Sequence, residues 1–487
     1  MAEYDLVIRG GTVVTAADVV RCDVGIAGGR VVALGERLAG GGSREIDATG
    51  RLVLPGGVDS HCHIEQPPVG GVDNADTFAS ATASAAAGGT TTVICFSSQT
   101  KGGAVTGELR DYHRKAERGA MIDYGFHLII ADPSDAVLAE LPPLIEEGHR
   151  SLKIFMTYDT SVLNDAEVLR VLALARKHGA FVTVHAENHE AIRFLTEALV
   201  AAGLTAPKYH AWAKPMPVER EAVHRVIAFA ELLDVPIQIF HVSGAEAAEE
   251  IGRAQRRGLR VFGETCPQYL VLTADDLDRP GFEGAKYLCS PAPRTRADQE
   301  ALWGHIRTGV LGVVSSDHAP YRYDDPRGKK VRGEGAPFSV VPNGVPGLAT
   351  RLPVLFSEGV AKGRIDLSTF VAVTATGPAR LFGLHPRKGT IAVGADADIA
   401  IWDPEKRVTI TNSMLHHRVD YTIYEGMEVR GWPVATLSRG EVVVEDGAIR
   451  AEPGRGRFLP RGPYEYIRPL NRFVTPFNPV DRRVVDG

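Results

Sequence analysis

Apolar and polar positions change rhythm twice along the chain. From Tyr4 to Pro55 they fall into short runs, Leu6-Val7-Ile8, Thr12-Val13-Val14, Cys22-Asp23-Val24-Gly25-Ile26 and Arg30-Val31-Val32-Ala33-Leu34. Gly10-Gly11, Gly28-Gly29 and Gly40-Gly41-Gly42 separate them, which predicts short strands joined by glycine turns. None of these glycines has the strand, helix and lysine or acidic partner of a phosphate loop. From about Gly57 to Arg380, apolar runs alternate with Ala- and Leu-rich helical stretches, the pattern of a parallel α/β fold. Eight strands are predicted, near Val58–His61, Thr90–Phe96, Tyr124–Ile130, Ser151–Phe155, Phe181–His185, Ile237–His241, Val261–Thr265 and Val313–Asp317. Eight such units close into a TIM-type (β/α)8 barrel, with its active site at the carboxyl ends of the strands. After Arg380 the strand rhythm returns, through Ile399-Ala400-Ile401-Trp402, Val434-Ala435-Thr436-Leu437 and Val442-Val443-Val444. The expected division is a β-sandwich domain built from residues 1–55 and 386–454, a catalytic barrel over 56–385, and a tail over 455–487. The tail is rich in Pro and Arg, and is expected to be disordered or to serve as an arm that packs on a neighbouring subunit.

A barrel of this kind occupies ~250 residues as one unit, so 487 residues accommodate it together with a smaller domain. The hydrophobic share of 44% and charged share of 23% permit a large core. No uninterrupted apolar run reaches the ~18 residues of a membrane span, so no membrane partner is expected. The net charge is −6 with Lys and Arg scattered, which argues against a nucleic-acid partner. The start, Met1-Ala2-Glu3-Tyr4-Asp5, is acidic and runs into a strand, unlike a secretory signal, so a cytoplasmic address is expected. The cysteines Cys22, Cys62, Cys95, Cys266 and Cys289 are far apart and odd in number, and are read as buried thiols rather than a disulfide framework or zinc cluster.

Candidate chemistry gathers where the predicted strands end. In Val58-Asp59-Ser60-His61-Cys62-His63, side chains two apart share a face, so His61 and His63 converge while Cys62 points away. Alone, a His-x-His pair is weak, and two hydrogen-bonded core histidines explain it as well. The fourth strand holds Lys153, the fifth ends in His185, the sixth in His241 and the eighth in Asp317. Singly, each histidine has a structural explanation and Asp317 could cap a helix. Five strands delivering such groups to one end of a barrel point to a metal site.

His61-Cys62-His63, Lys153-Ile154-Phe155-Met156-Thr157-Tyr158, His185-Ala186-Glu187-Asn188, His241-Val242-Ser243, Cys289-Ser290-Pro291, Ser316-Asp317-His318 and Val341-Pro342-Asn343-Gly344 resemble, in order, motifs of the cyclic amidohydrolases, in particular D-hydantoinase and dihydropyrimidinase. The resemblance extends through Lys388-Gly389-Thr390-Ile391-Ala392-Val393-Gly394-Ala395-Asp396-Ala397-Asp398. It implies hydrolysis of a 5-substituted hydantoin or dihydropyrimidine to the N-carbamoyl amino acid. It further implies two divalent metal ions, zinc first with manganese or cobalt as alternatives. By matched position His61, His63 and Asp317 hold one ion, His185 and His241 the other, and Lys153, as N6-carboxylysine, bridges them. A lysine buried beside cations loses its proton readily, and only the free amine reacts with carbon dioxide. A hydroxide between two such ions is a nucleophile at neutral pH. Asp317 would shuttle the proton, Tyr158 would donate to the oxyanion, and Ser290 and Asn343 would hold the ureide edge through backbone groups. A homotetramer is implied as well.

Several relatives compete. Dihydroorotases usually place an Arg just after His-x-His; here Ile64-Glu65-Gln66 follows, and a Glu65 facing the pocket would repel a substrate carboxylate. Ser316-Asp317-His318-Ala319-Pro320 resembles allantoinase and dihydroorotase as much as hydantoinase, whereas Val341-Pro342-Asn343-Gly344-Val345-Pro346-Gly347 favours the hydantoinase branch. Val69 stands where relatives commonly place a Phe that meets the ring substituent. A collapsin-response-mediator-like binding protein would have lost the metal ligands retained here, and a mononuclear deaminase would lack the lysine.

Overall fold

The computed structural model describes residues 3–485; Met1 and Ala2 of the acidic start, and Asp486 and Gly487 of the tail, lie outside the described residues. The N-terminal runs form β1 (Tyr4–Arg9), β2 (Thr12–Val14), β3 (Val19–Arg21), β4 (Asp23–Ala27), β5 (Arg30–Gly35), β6 (Gly42–Asp47) and β7 (Leu52–Pro55). Eight parallel strands follow: β8 (Gly57–Cys62), β9 (Thr90–Ser98), β10 (Asp123–Ile129), β11 (Ser151–Phe155), β12 (Phe181–His185), β13 (Ile237–Ile239), β14 (Val261–Thr265) and β15 (Leu311–Val314). The C-terminal strands are β16 (Ile399–Thr409), β17 (Glu428–Ser438), β18 (Glu441–Glu445) and β19 (Ala448–Ile449).

The barrel strands pair in chain order, and helices cover their outer face. Period-2 alternation divides each strand: Leu152 and Ile154, like Val182 and Val184, join the outer core under the helices, while Phe155 and Phe181 join the inner cluster. The helix Asp165–His178 illustrates the covering layer. Asn164 and Glu167 close a capping box at its start, Val168, Val171, Leu172 and Ala175 form its buried stripe, and Gly179 ends it in the left-handed region.

Ladder pairing runs from β8 to β15 without joining those two strands along their length. Arg351, fully buried, spans the seam: Nη1 donates to Val58 O at 3.4 Å and Val314 O at 3.0 Å, and Nη2 to Thr90 Oγ1 at 2.9 Å. Its counter-ion is Asp59 at 3.5 Å, whose other oxygen accepts from Ser316 N. Gly57 is required here, because a Cβ at that position would lie 2.6 Å from the guanidinium.

Both chain ends meet in one sheet, ordered β19-β18-β17-β16-β7-β2-β3, against which the four-stranded sheet β5-β4-β1-β6 packs. In β16, Ile399 and Ile401 face the space between the sheets, while Ala400 and Trp402 face the barrel. Lys388 locks the junction, with Nζ 2.7 Å from Asp123 of β10, 2.7 Å from Asp398 and 3.0 Å from Asp396.

The first part of the tail departs from expectation, since it packs on its own barrel instead of reaching outward. Tyr124 N donates to Arg457 O, Leu459 N to Tyr124 O, and the buried Arg461 donates to Phe126 O at 2.7 Å and Ser151 Oγ at 2.8 Å. Leu459 and Ile467 join the inner cluster and close the amino-terminal mouth. The arm proposal therefore narrows to the end of the tail, where Val474, Phe477 and Val484 are exposed.

Candidate metal centre

Two of the eight strands stop short of the ligands expected to end them. β13 ends at Ile239 and β15 at Val314, so His241 and Asp317 lie beyond them. Both residues have positive φ, +41° and +47°, which breaks the ladder and turns the side chains into the carboxyl-terminal mouth. Tyr158, after β11, shares this conformation at φ +72°.

The predicted ligands converge there. His61 Nε2 lies 3.1 Å and His63 Nε2 3.6 Å from Asp317 Oδ1, and the ligating atoms of this trio all fall within 4.8 Å of one another, close enough to hold a metal ion. Cys62 points the other way, its Sγ 3.8 Å from that of Cys95, and all five cysteines are buried and free. His241 Nε2 lies 2.8 Å from His185 Nδ1. Ring centroids separated by 5.7, 5.3 and 4.3 Å link His63, His61, His241 and His185 in sequence. Lys153 sits among them, fully buried, with Nζ 4.3 Å from the Phe240 ring centre and 4.7 Å from that of Phe155.

Electrostatics suit a cation. Burial, together with the charge of Lys153, pushes His61, His63 and His241 down, His63 to about 4, so these imidazoles are neutral and offer lone pairs. His185 is likewise lowered by burial, against the opposing pull of Glu187. Burial lowers the Lys153 amine to about 7, and Nζ finds no hydrogen-bond partner among the described residues. Burial also raises Asp317 above the ordinary carboxylate range, opposed by His63 and Lys153. A partnerless amine ringed by neutral imidazoles and a carboxylate is an arrangement that fits a metal group and is costly without one.

The outer ring of contacts escaped sequence reasoning. Glu264 Oε1 lies 2.6 Å from His61 Nδ1, Gln66 Oε1 2.9 Å from His63 Nδ1, and Glu187 Oε2 2.7 Å from His185 Nε2. Each holds the proton on the far nitrogen and leaves the near one free for the centre. Glu264 had a sequence signal, a charge at an inward position of an otherwise apolar strand. Glu187 lies in a quoted motif, but nothing local assigns its partner. Ser290 Oγ donates to Glu187 Oε2 at 2.6 Å and accepts from the buried Lys214 at 2.7 Å, so it stands beside His185. Asn343 is half-buried, and its Oδ1 finds no partner among the described residues. A Cβ on Gly344 would come within 2.5 Å of Ala319, so only glycine allows this loop to pass.

One expectation is corrected. Glu65 does not face the pocket: its Oε2 accepts from Phe78 N at 2.8 Å, capping the helix Phe78–Ala87, and Arg118 lies 3.7 Å from Oε1. A carboxylated ring would therefore meet no repulsion from Glu65, and only the missing Arg after His63 disfavours it.

An eight-stranded α/β barrel with imidazoles and a carboxylate gathered at its carboxyl-terminal mouth defines a metal-dependent barrel hydrolase. Residues 52–443 match the model of the amidohydrolase family. The chain is 45% identical over 462 residues to the D-hydantoinase of Ralstonia pickettii, covering 95% of this chain and 100% of that protein, and equally so to the D-hydantoinase of Rhizobium radiobacter. The crystal structure of dihydropyrimidinase from Brevibacillus agri superposes with a TM-score of 0.91 at 44% identity, covering 94% of this chain and 99% of that one. The chain belongs to the amidohydrolase family, whose members are metal-dependent. Among the described residues no helix is long and apolar enough to cross a membrane.

Proposed function

We propose that the protein opens a cyclic ureide, a 5-substituted hydantoin or a dihydropyrimidine, to the N-carbamoyl amino acid with the help of two divalent cations. The observation that carries this reading is the convergence of His61, His63, His185, His241 and Asp317 around the partnerless amine of Lys153. The likeness to D-hydantoinases and a dihydropyrimidinase over nearly the whole chain supports the substrate class. His61, His63 and Asp317 would hold one cation, and His185 through Nδ1 and His241 through Nε2 the other. Lys153 would join them once carboxylated: carbon dioxide adds to the neutral amine, an N–C bond forms, a proton leaves, and an anionic bidentate group results. Zinc suits neutral imidazole and carboxylate ligands, with manganese and cobalt as alternatives. When bound, the cations supply Lewis acidity and bring the pKa of water down to ~7.

The chain's own groups do the rest. Asp317 takes a proton from the attacking water at a carboxylate oxygen and returns it to the ring nitrogen as the C–N bond breaks. Burial and the nearby Glu187 push the Tyr158 phenol up, against Ser290, so it stays protonated and donates to the carbonyl oxygen as charge develops. Ser290 and Asn343 hold the ureide edge, with Asn343 Oδ1 as a free acceptor for a ring N–H. Val69, exposed at a Gly70-Gly71 turn, would leave room for the ring substituent. Assembly into a homotetramer is part of the proposal; the helix His189–Ala201, which buries none of its residues and exposes Phe194, is consistent with it.

Turnover of dihydrouracil, 5-substituted hydantoins, allantoin and dihydroorotate by metal-loaded protein tests the reading. The expected result is kcat/KM at least about tenfold higher for the first two classes, a margin that polar substrate contacts readily give. Fastest turnover of allantoin or dihydroorotate would move the protein to those activities, and inertness toward all four would favour a binding role.

A further inference from the structure

Lys329 is 1% exposed, yet among the described residues no carboxylate lies within ion-pair distance of its ammonium. Its Nζ donates instead to three backbone carbonyls, Leu288 O at 3.1 Å, Pro342 O at 2.7 Å and Gly344 O at 2.8 Å. Three acceptors match the three donors of an ammonium. They come from two separate segments: Leu288 leads into Cys289-Ser290, while Pro342 and Gly344 flank Asn343. Gly344 N also donates to Leu288 O at 2.8 Å, and Lys329 N to Arg322 O at 2.8 Å, which anchors the lysine on the loop after Asp317. Burial with no anionic partner is unfavourable for a cation, and it lowers the amine to about 7. An apolar side chain would fill the same space without that cost, but it would take this donor from Pro342 O and Gly344 O and leave the two segments joined only by the Gly344 N–Leu288 O bond.

We propose that Lys329 is a positioning residue for the hydrolysis: its ammonium fixes the spacing between the Leu288–Ser290 and Pro342–Gly344 segments and so sets the slot in which Ser290 and Asn343 grip the ureide. This rests on the substrate reading above. Lys214 fixes Ser290 through its side chain from the other direction, whereas Lys329 acts on backbone alone. A guanidinium, planar and forked, does not reproduce a three-way grip on carbonyls, so Arg is not an equivalent residue.

The test compares wild type, Lys329→Met, Lys329→Arg and Lys329→Gln as metal-loaded full-length chains, with Leu459→Ala at the opposite mouth as a stability control. For dihydrouracil or a hydantoin, Lys329→Met is expected to raise KM about tenfold or more with kcat within about threefold and metal content unchanged. Lys329→Gln, which keeps two donors, is expected to fall between Met and wild type, and it serves if the Met variant does not fold. Hydrogen exchange is expected to quicken in residues 286–292 and 340–347 and not elsewhere. Leu459→Ala is expected to lower the melting temperature and leave KM alone. An unchanged KM with unchanged local exchange overturns the proposal, as does faster exchange throughout the chain with KM left unchanged, as in the control. Should wild type open none of these rings, the substrate reading fails, and the exchange pattern still decides whether Lys329 joins the two segments.

Discussion

At Lys153, surroundings govern a side chain that in water would be an ammonium. Its ordinary pKa is ~10.4, and burial brings it to about 7 against the pull of Asp317 and Glu264. Below pH 7 the amine in metal-free protein is protonated and cannot add carbon dioxide; above it the free amine predominates. At fixed dissolved carbon dioxide, a carbon-13 carbamate signal is therefore expected to grow as pH rises through about 7 and to be missing in Lys153→Met. No carbamate at pH 8, or equal amounts at pH 5 and pH 8, would contradict the assignment of Lys153. His61, His63, His185, His241 and Asp317 were legible in sequence because each sits at or near the end of an apolar run. Glu187 and Gln66 were not, since their role lies in a contact that only the folded chain makes.

Among the elements, strand identity was readable and strand extent was not. β11, β12 and β14 match their apolar runs, whereas β13 and β15 end before His241 and Asp317, whose positive φ no run of residue types announces. The seam between β8 and β15 was equally hidden: Arg351 lies far along the chain from both strands it joins. Removing one partner of a buried charged pair costs about 3–5 kcal/mol. Arg351→Met is expected to lose stability on that scale in denaturant unfolding, because Asp59 loses its counter-ion and four carbonyl or hydroxyl acceptors lose a donor. A loss below about 1 kcal/mol would mean that helix packing, rather than this side chain, closes the barrel.

On the scale of the whole molecule, the chain ends do more than their composition suggests. The motif from Lys388 to Asp398 resembles the family but lies away from the centre, and its lysine ties the barrel to the terminal sheets through Asp123, Asp396 and Asp398. Lys388→Met is expected to lower stability by about 3–5 kcal/mol while leaving KM and bound metal unchanged in the folded fraction, as read by calorimetry and kinetics. A loss of metal without a loss of stability would place Lys388 in the functional machinery instead. The tail misled sequence reading for a related reason: Pro and Arg suggest disorder locally, but Arg461 finds Phe126 O and Ser151 Oγ on its own barrel. The central claim is that one buried centre of imidazoles, Asp317 and Lys153 takes up cations to open a cyclic ureide. Its most direct test is the rate of hydantoin or dihydrouracil opening measured against divalent metal bound per chain. The expected rate climbs with loading and levels off at two ions per chain; full activity at far less than one ion, or no ring opening at two, would contradict it.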